Sequence, residues 1–326
     1  MKHRYLLAAA LVGLAWQDQA QTHKRLAIDY AGAALLTISV VMLLLGLVEF
    51  GTAQSWVLIV VAIALFLLLL WVERRAEDPV LPLSLFRDRL FATATAHGIL
   101  TGWALFGSIS FIPLFVQAVL GTSATQAGIT ITPMLLGWVM ASIIGTRLLL
   151  TIGYRRLGLI GTATFVIGAF LMSRIGLSSS QISLMIFVTL MGVGMGLSIP
   201  AFLIAVQTSV ERRQLGTATS TLQFSRSIGG TLGVSVMGAA LSARLTSSLI
   251  AAHLNTDLVR QLLDPLASAQ LTIEEGARAA MADAIHLVFV IAFAAAILAM
   301  TVVFFSPRKE LTEQLPEREA MSVSAD

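Results

Sequence analysis

The sequence predicts an all-α integral membrane protein of about eight spanning helices, and three observations carry that reading. Of 326 residues, 57% are hydrophobic and 12% are charged, against about 25% charged in ordinary soluble domains, which leaves too little polar surface to coat a water-soluble globule. Apolar runs of spanning length recur along nearly the whole chain. Lys and Arg gather in every second connection between those runs, as they do in loops held on the cytoplasmic side. The net charge of +3 therefore reads as a topology signal, and nucleic acid is not an expected partner; the lipid bilayer is.

A span needs about 20 predominantly apolar residues, because a rise of about 1.5 Å per residue must cross about 30 Å of hydrocarbon. The runs that qualify are Tyr30 to Val48, Trp56 to Val72, Leu90 to Val116, Ala124 to Leu149, Leu157 to Ser173, Gln181 to Val210, Thr217 to Leu241 and Ala284 to Phe305. The basic connections hold Lys24 and Arg25, then Arg74, Arg75, Arg87 and Arg89, then Arg155 and Arg156, then Arg212 and Arg213, and last Arg308 and Lys309. The links near Gly51 to Ser55 and Gly121 to Ser123 have neither Lys nor Arg, and the one near Gly176 has Arg174 alone. An even number of spans puts both termini on the cytoplasmic side of the cytoplasmic (inner) membrane.

The expected organisation follows: residues 1–28 a cytoplasmic N-terminal segment, 29–73 two spans, 74–89 a cytoplasmic connector, 90–305 six further spans, and 306–326 a cytoplasmic tail of disordered composition. Residues of about 242–283 are expected to form a partly helical exterior loop. Tyr5 to Trp16, with Lys2 and Arg4 before it, is too short to span. It reads either as the remnant of a preceding helix or as a signal-like segment, although Ala10 and Ala20 give no cleavage pattern in context.

Four stretches carry a family resemblance. Glu73 to Phe91, Glu-Arg-Arg-Ala-Glu-Asp-Pro-Val-Leu-Pro-Leu-Ser-Leu-Phe-Arg-Asp-Arg-Leu-Phe, mixes charge, Pro and regularly placed apolar residues as an interfacial connector does. Phe115-Val-Gln-Ala-Val-Leu-Gly-Thr-Ser-Ala-Thr-Gln-Ala-Gly contains Gly121 and Gly128 and runs on to Pro133. Ile152-Gly-Tyr-Arg-Arg contains Gly153, Arg155 and Arg156, and Gly192-Val-Gly-Met-Gly, with Pro200, precedes Arg226-Ser-Ile-Gly-Gly-Thr-Leu-Gly. Together they resemble the C-terminal portion of the fourteen-spanner drug/proton antiporters of the major facilitator superfamily. The basic loop departs from that family's pattern, since Leu150 and Thr151 stand where an Asp-Arg pair is usual. The resemblance covers most residues from about Ile28 to Phe305 and implies a six-helix transporter bundle preceded by two linker helices.

By the same resemblance the function is proton-coupled export of hydrophobic, often cationic, small molecules, with protons as the coupling ion. The matching portion of the family is its last eight helices. The expectation is therefore a truncated form without the N-terminal half, which would need a separate N-terminal half, a second copy or a periplasmic adaptor. Alternating access rocks two halves about a central site, so an inactive fragment and a non-transport membrane scaffold stand as alternatives.

Within the spans, Arg226 is the most informative residue, because an unpaired charge there costs at least about 2.5 kcal/mol on insertion scales. Two readings stay open: it faces a central cavity and attracts an anion or dipole, or it snorkels and bonds helix carbonyls. Gln117, Gln207, Gln223 and His97 are polar enough to line a substrate pathway, and Trp103, Trp138 and Phe202, with Phe106 and Met134, could supply its adaptable wall. His286 is expected to be paired and silent, and Asp29 and Glu49 sit at helix ends without a relay role. Gly192 and Gly196, and Gly229 and Gly233 with Gly230 between them, make smooth stripes for close helix packing. Pro133 and Pro200 remove backbone donors inside spans, where kinks are expected.

Enzyme chemistry is not expected. There is no Walker loop, no His-Glu-x-x-His and no Gly-x-Ser-x-Gly. Cysteine is absent, so thiolate metal sites and cysteine nucleophiles are excluded. No catalytic residue, metal or cofactor is assigned.

Overall fold

The computed structural model describes residues 29–48, 52–75, 83–254, 259, 263 and 275–308. The segment Tyr5 to Trp16, Lys24, Arg25, Glu49, most of the link between 255 and 274, and the tail from Lys309 lie outside the described residues.

Eight described helices are long and apolar enough to cross a membrane. They are α1 (Tyr30–Val48), α2 (Ala53–Glu73), α3 (Arg89–Leu114), α4 (Ala124–Ile152), α5 (Tyr154–Met172), α6 (Gln181–Ser209), α7 (Leu215–Ala251) and α8 (Glu275–Phe304). Their starts follow from local chemistry. Thr52, Ser123 and Ser180 each accept a bond from the backbone N–H three residues on, and Asp88 accepts from Leu90 N at 2.7 Å and Phe91 N at 3.1 Å. These side chains satisfy donors that the first helical turn leaves free. Gly153 stands between α4 and α5 with φ of 76°. Only a residue without Cβ adopts that backbone cheaply, so one glycine turns the chain from one helix into the next.

Two helix ends run furthest past the expected spans. Residues 242–251 continue α7, and residues 275–283 already belong to α8, so the segment 242–283, expected to be partly helical, is helical at both of its ends. Its more polar composition hid this, since a search for apolar runs of spanning length does not register polar helical turns. Arg244 and Asp283 tie the extensions together at 2.8 Å, and Ser248 Oγ donates to the same carboxylate at 2.9 Å. At the same end, Pro113 lies inside α3, and the helix finishes in a wide π turn over Phe115–Val119. Donors reach its carbonyls from outside the turn: Thr122 Oγ1 donates to Val116 O at 2.8 Å, and Arg278 Nε to Val119 O at 2.5 Å.

The packing has an internal order. α4 and α5 lie on α6, while α7 and α8 lie on α3, and α5 meets α8. Exchanging α3, α4 and α5 for α6, α7 and α8 maps these pairs onto one another. Three spans per unit invert the second unit relative to the first, which is an inverted repeat. α1 and α2 form a pair of their own, with α1 resting on α7.

The closest crossings use backbone where side chains would ordinarily intervene. A Cβ at Gly233 would sit 2.7 Å from Trp103 O, and one at Gly229 would sit 2.7 Å from the carbonyl carbon of Ile99, both across the α3/α7 contact. Across α4/α6, a Cβ at Gly192 would meet Met134 Cγ at 2.7 Å and one at Gly196 would meet Ala141 Cβ at 2.8 Å. Such approaches raise dispersion and carbonyl contacts where no hydrophobic effect separates helix from lipid. Large apolar side chains cover the outside, among them Val57, Val60 and Leu67 on α2 and Leu136, Val139 and Ile143 on α4. At the basic end, Arg155 Nη2 donates to Phe304 O, the last carbonyl of α8, at 3.0 Å, and Tyr154 Oη donates to Pro307 O just past the helix at 2.5 Å, so α5 ties down the end of α8 and the chain that leaves it.

Candidate substrate cleft

α3, α6 and α7 converge on a small, open cleft. α3 gives it Ala94, His97 and Gly98, α6 gives Ile199, Phe202 and Leu203, and α7 gives Leu222, Gln223 and Arg226. Arg226 lies 11 residues from the start of α7, or roughly 16 Å along the axis at about 1.5 Å per residue. Arg226 thus stands about three turns inside a helix long enough to cross a hydrocarbon core about 30 Å thick.

Each polar group is held by identifiable neighbours. His97 is buried on α3, and its Nε2 lies 3.0 Å from Thr162 Oγ1 of α5. Its ring packs against Phe202 with centroids 4.7 Å apart. Phe202 in turn fills a notch at Gly158, where an added Cβ would come within 2.9 Å of the ring. The Arg226 stem rests on Gly98 and Gly102 of α3; a Cβ at Gly102 would lie 3.1 Å from Arg226 Cγ and would collide with its carbonyl oxygen. Arg226 Nη2 donates to Gln223 Oε1 one turn back. The cleft therefore has apolar walls, one cation, one primary amide and a histidine already engaged. Among the described residues, no carboxylate lines it.

Of the residues singled out from the sequence, the structure brings Arg226, Gln223, His97 and Phe202 together here. The others lie elsewhere. Gln117 is buried in the π turn, where its Nε2 donates to Pro113 O at 3.2 Å. Gln207 donates to Thr219 Oγ1 at 3.1 Å. Trp103 presents its backbone to Gly233, and Trp138 presents its carbonyl to Gly196. Pro133 and Pro200 stand inside α4 and α6. Gly121 turns the chain after the π turn with φ of 69°, while Gly128 has open space around it and Gly230 abuts the Phe106 ring. Arg156 is exposed at the basic end.

Sequence reasoning missed Thr162, Gly98 and Gly102. Gly98 and Gly102 repeat the four-residue spacing of Gly229 and Gly233, so that signal was available. Thr162 left none, because its role depends on a partner 65 residues away in the chain.

Comparison with known proteins assigns the chain. The model of the Major Facilitator Superfamily matches residues 5–234. The chain is 33% identical over 270 residues to the multidrug transporter protein MdtP of Bacillus subtilis, covering 80% of this chain and 48% of that protein. It is 36% identical over 233 residues to multidrug resistance protein 3 of the same organism, covering 70% and 46%. The chain thus spans about half the length of these curated relatives. Among solved structures, a bacterial homolog to the human lysosomal transporter Spinster, in an inward-facing and occupied conformation, aligns with a TM-score of 0.56 at 17% identity. That alignment covers 87% of this chain and 70% of the other, a likeness of fold. From the family match and the helical architecture together, the chain belongs to the major facilitator superfamily.

Proposed function

We propose that this chain acts in the cytoplasmic membrane, with both termini inside, as a six-helix half and two linker helices of a proton-coupled exporter of hydrophobic compounds. The observation that carries the proposal is the cleft between α3, α6 and α7, with apolar walls and a polar pair, Gln223 and Arg226, well inside a helix of spanning length. Sites for small molecules combine just these elements, a mostly apolar surface and a few placed polar groups. The names of these two relatives, a multidrug transporter and a multidrug resistance protein, support that substrate class.

A second bundle faces the cleft in this reading. Ser220, Gln223, Ser227 and Thr231 form an exposed polar stripe along α7. Side chains of that kind inside a span face water or protein in preference to lipid. The facing bundle is a matching N-terminal half, whether on the same polypeptide, on a separate chain or contributed by a second copy.

The test is ethidium efflux from cells expressing the chain alone and beside a matching six-helix N-terminal half, with and without a protonophore. Efflux that needs the companion and stops when the proton gradient collapses is the expected result. Efflux indifferent to the gradient removes the antiport reading, and no efflux in either arrangement removes the exporter reading.

A further inference from the structure

The family resemblance points toward hydrophobic, often cationic, cargo, whereas the chemistry of this cleft points the other way. Among the described residues, the only formal charge lining it is the guanidinium of Arg226. Among those same residues, its one hydrogen-bond partner is the neutral amide oxygen of Gln223, and its positive charge meets no carboxylate there. The other nearby polar group, His97, is spoken for by Thr162. A guanidinium has five N–H donors in a planar fork matched to carboxylates, sulfonates and phosphates. Gln223 uses one of them, which leaves the fork open toward the cleft. A charge kept inside a helix of spanning length is normally paired or placed where a ligand pairs it.

We infer that the cleft takes an amphipathic anion: a ring or chain against Phe202, Leu203 and Leu222, and one anionic group on the Arg226 fork. The inference rests on the reading of the cleft as the cargo-contacting site, and it names the charge class of that cargo. The Gln223 amide keeps the fork oriented and offers its own N–H groups to the same anion. Gly98 and Gly102 make the arrangement possible, since a side chain at Gly102 would displace the Arg226 stem.

The experiment uses the purified full chain in nanodiscs and two probes with the same aromatic body and opposite charge, 1-naphthaleneacetate and 1-naphthylmethylammonium. Binding is measured by radioligand titration with empty nanodiscs as blank. The expected result is about tenfold tighter binding of the acetate, the scale of one charge-assisted bond. In R226Q the acetate weakens about tenfold and the ammonium does not weaken; R226K keeps some of the preference; F202A weakens both probes alike. Q223E places a carboxylate beside the guanidinium without removing it, and it abolishes the preference even if R226Q fails to fold. Equal binding of the two probes, tighter binding of the ammonium, no binding of either, or an unchanged acetate affinity in R226Q and Q223E overturns the inference. Loss of acetate binding when the companion half is supplied also overturns it, by showing that a protein carboxylate is the partner. Proton-dependent ethidium efflux that persists through such a result leaves the exporter reading standing and removes only the charge class.

Discussion

Substitution of Gly233 by Ala tests whether the α3/α7 crossing depends on the absence of a side chain. The added Cβ would lie 2.7 Å from Trp103 O, 2.8 Å from Trp103 Cα and 3.0 Å from Trp103 Cγ. Carbon contacts at optimal separation lie near about 3.5 Å, so the helices must separate by several tenths of an ångström. Overpacking of this kind costs about 1–3 kcal/mol. The usual helix-propensity gain of Ala over Gly, about 1 kcal/mol in water, offsets little, because the SDS-unfolded chain retains helix. The control is Gly128→Ala in α4, where nothing lies within 4 Å of the new methyl. Unfolding of the purified chain is followed by circular dichroism during titration of mixed micelles with SDS. Gly233→Ala should shift the midpoint by about 1–3 kcal/mol of stability, while Gly128→Ala should stay within about 0.5 kcal/mol of the parent. Coincident midpoints for Gly233→Ala and the parent, or an equal loss in Gly128→Ala, would refute the backbone-to-backbone account.

Three further outcomes follow from the same geometry. Asp88→Ala removes the α3 cap and should cost about 1 kcal/mol in the same titration, with Asp88→Asn recovering most of it. Tyr154→Phe deletes the bond to Pro307 O and should speed amide exchange over the last turn of α8, with a stability loss of about 1 kcal/mol or less; unchanged exchange there would show that the hydroxyl does not close that end. Arg244→Ala breaks a half-exposed ion pair, so its effect should stay below about 1 kcal/mol and shrink further in 0.5 M salt; a large, salt-independent loss would contradict that weight.

The fold was legible because crossing lipid imposes one dominant requirement, a long apolar helix, and the chain states it eight times. Where that requirement lapses, the sequence says less. The outer turns of α7 and the first turns of α8 are polar, and nothing in hydropathy marks them as helix. The site was legible as a set of residue types but not as a place. Arg226, Gln223, His97 and Phe202 share the cleft, while Gln117, Gln207, Trp103 and Trp138 do not, although all eight are polar or aromatic residues in or at the ends of spans. In soluble proteins the apolar stripe tells which face of a helix looks inward. In a bilayer both faces are apolar, so facing is decided by glycine spacing and partner helices far along the chain. Gln117 illustrates the cost, since its polarity serves a carbonyl of its own helix near Pro113.

Arg226 occupies two positions at once. Its guanidinium opens on the cleft, and its backbone lies directly beneath Gly102, inside the contact that joins α3 to α7. No other residue intervenes between the fork and the helix contact: a pull on the guanidinium would reach the seam between two spans through a single side chain. Any ligand bound as proposed on the fork would thereby gain leverage on the angle at which those helices cross, because the side chain that meets it belongs to the residue packed in the seam.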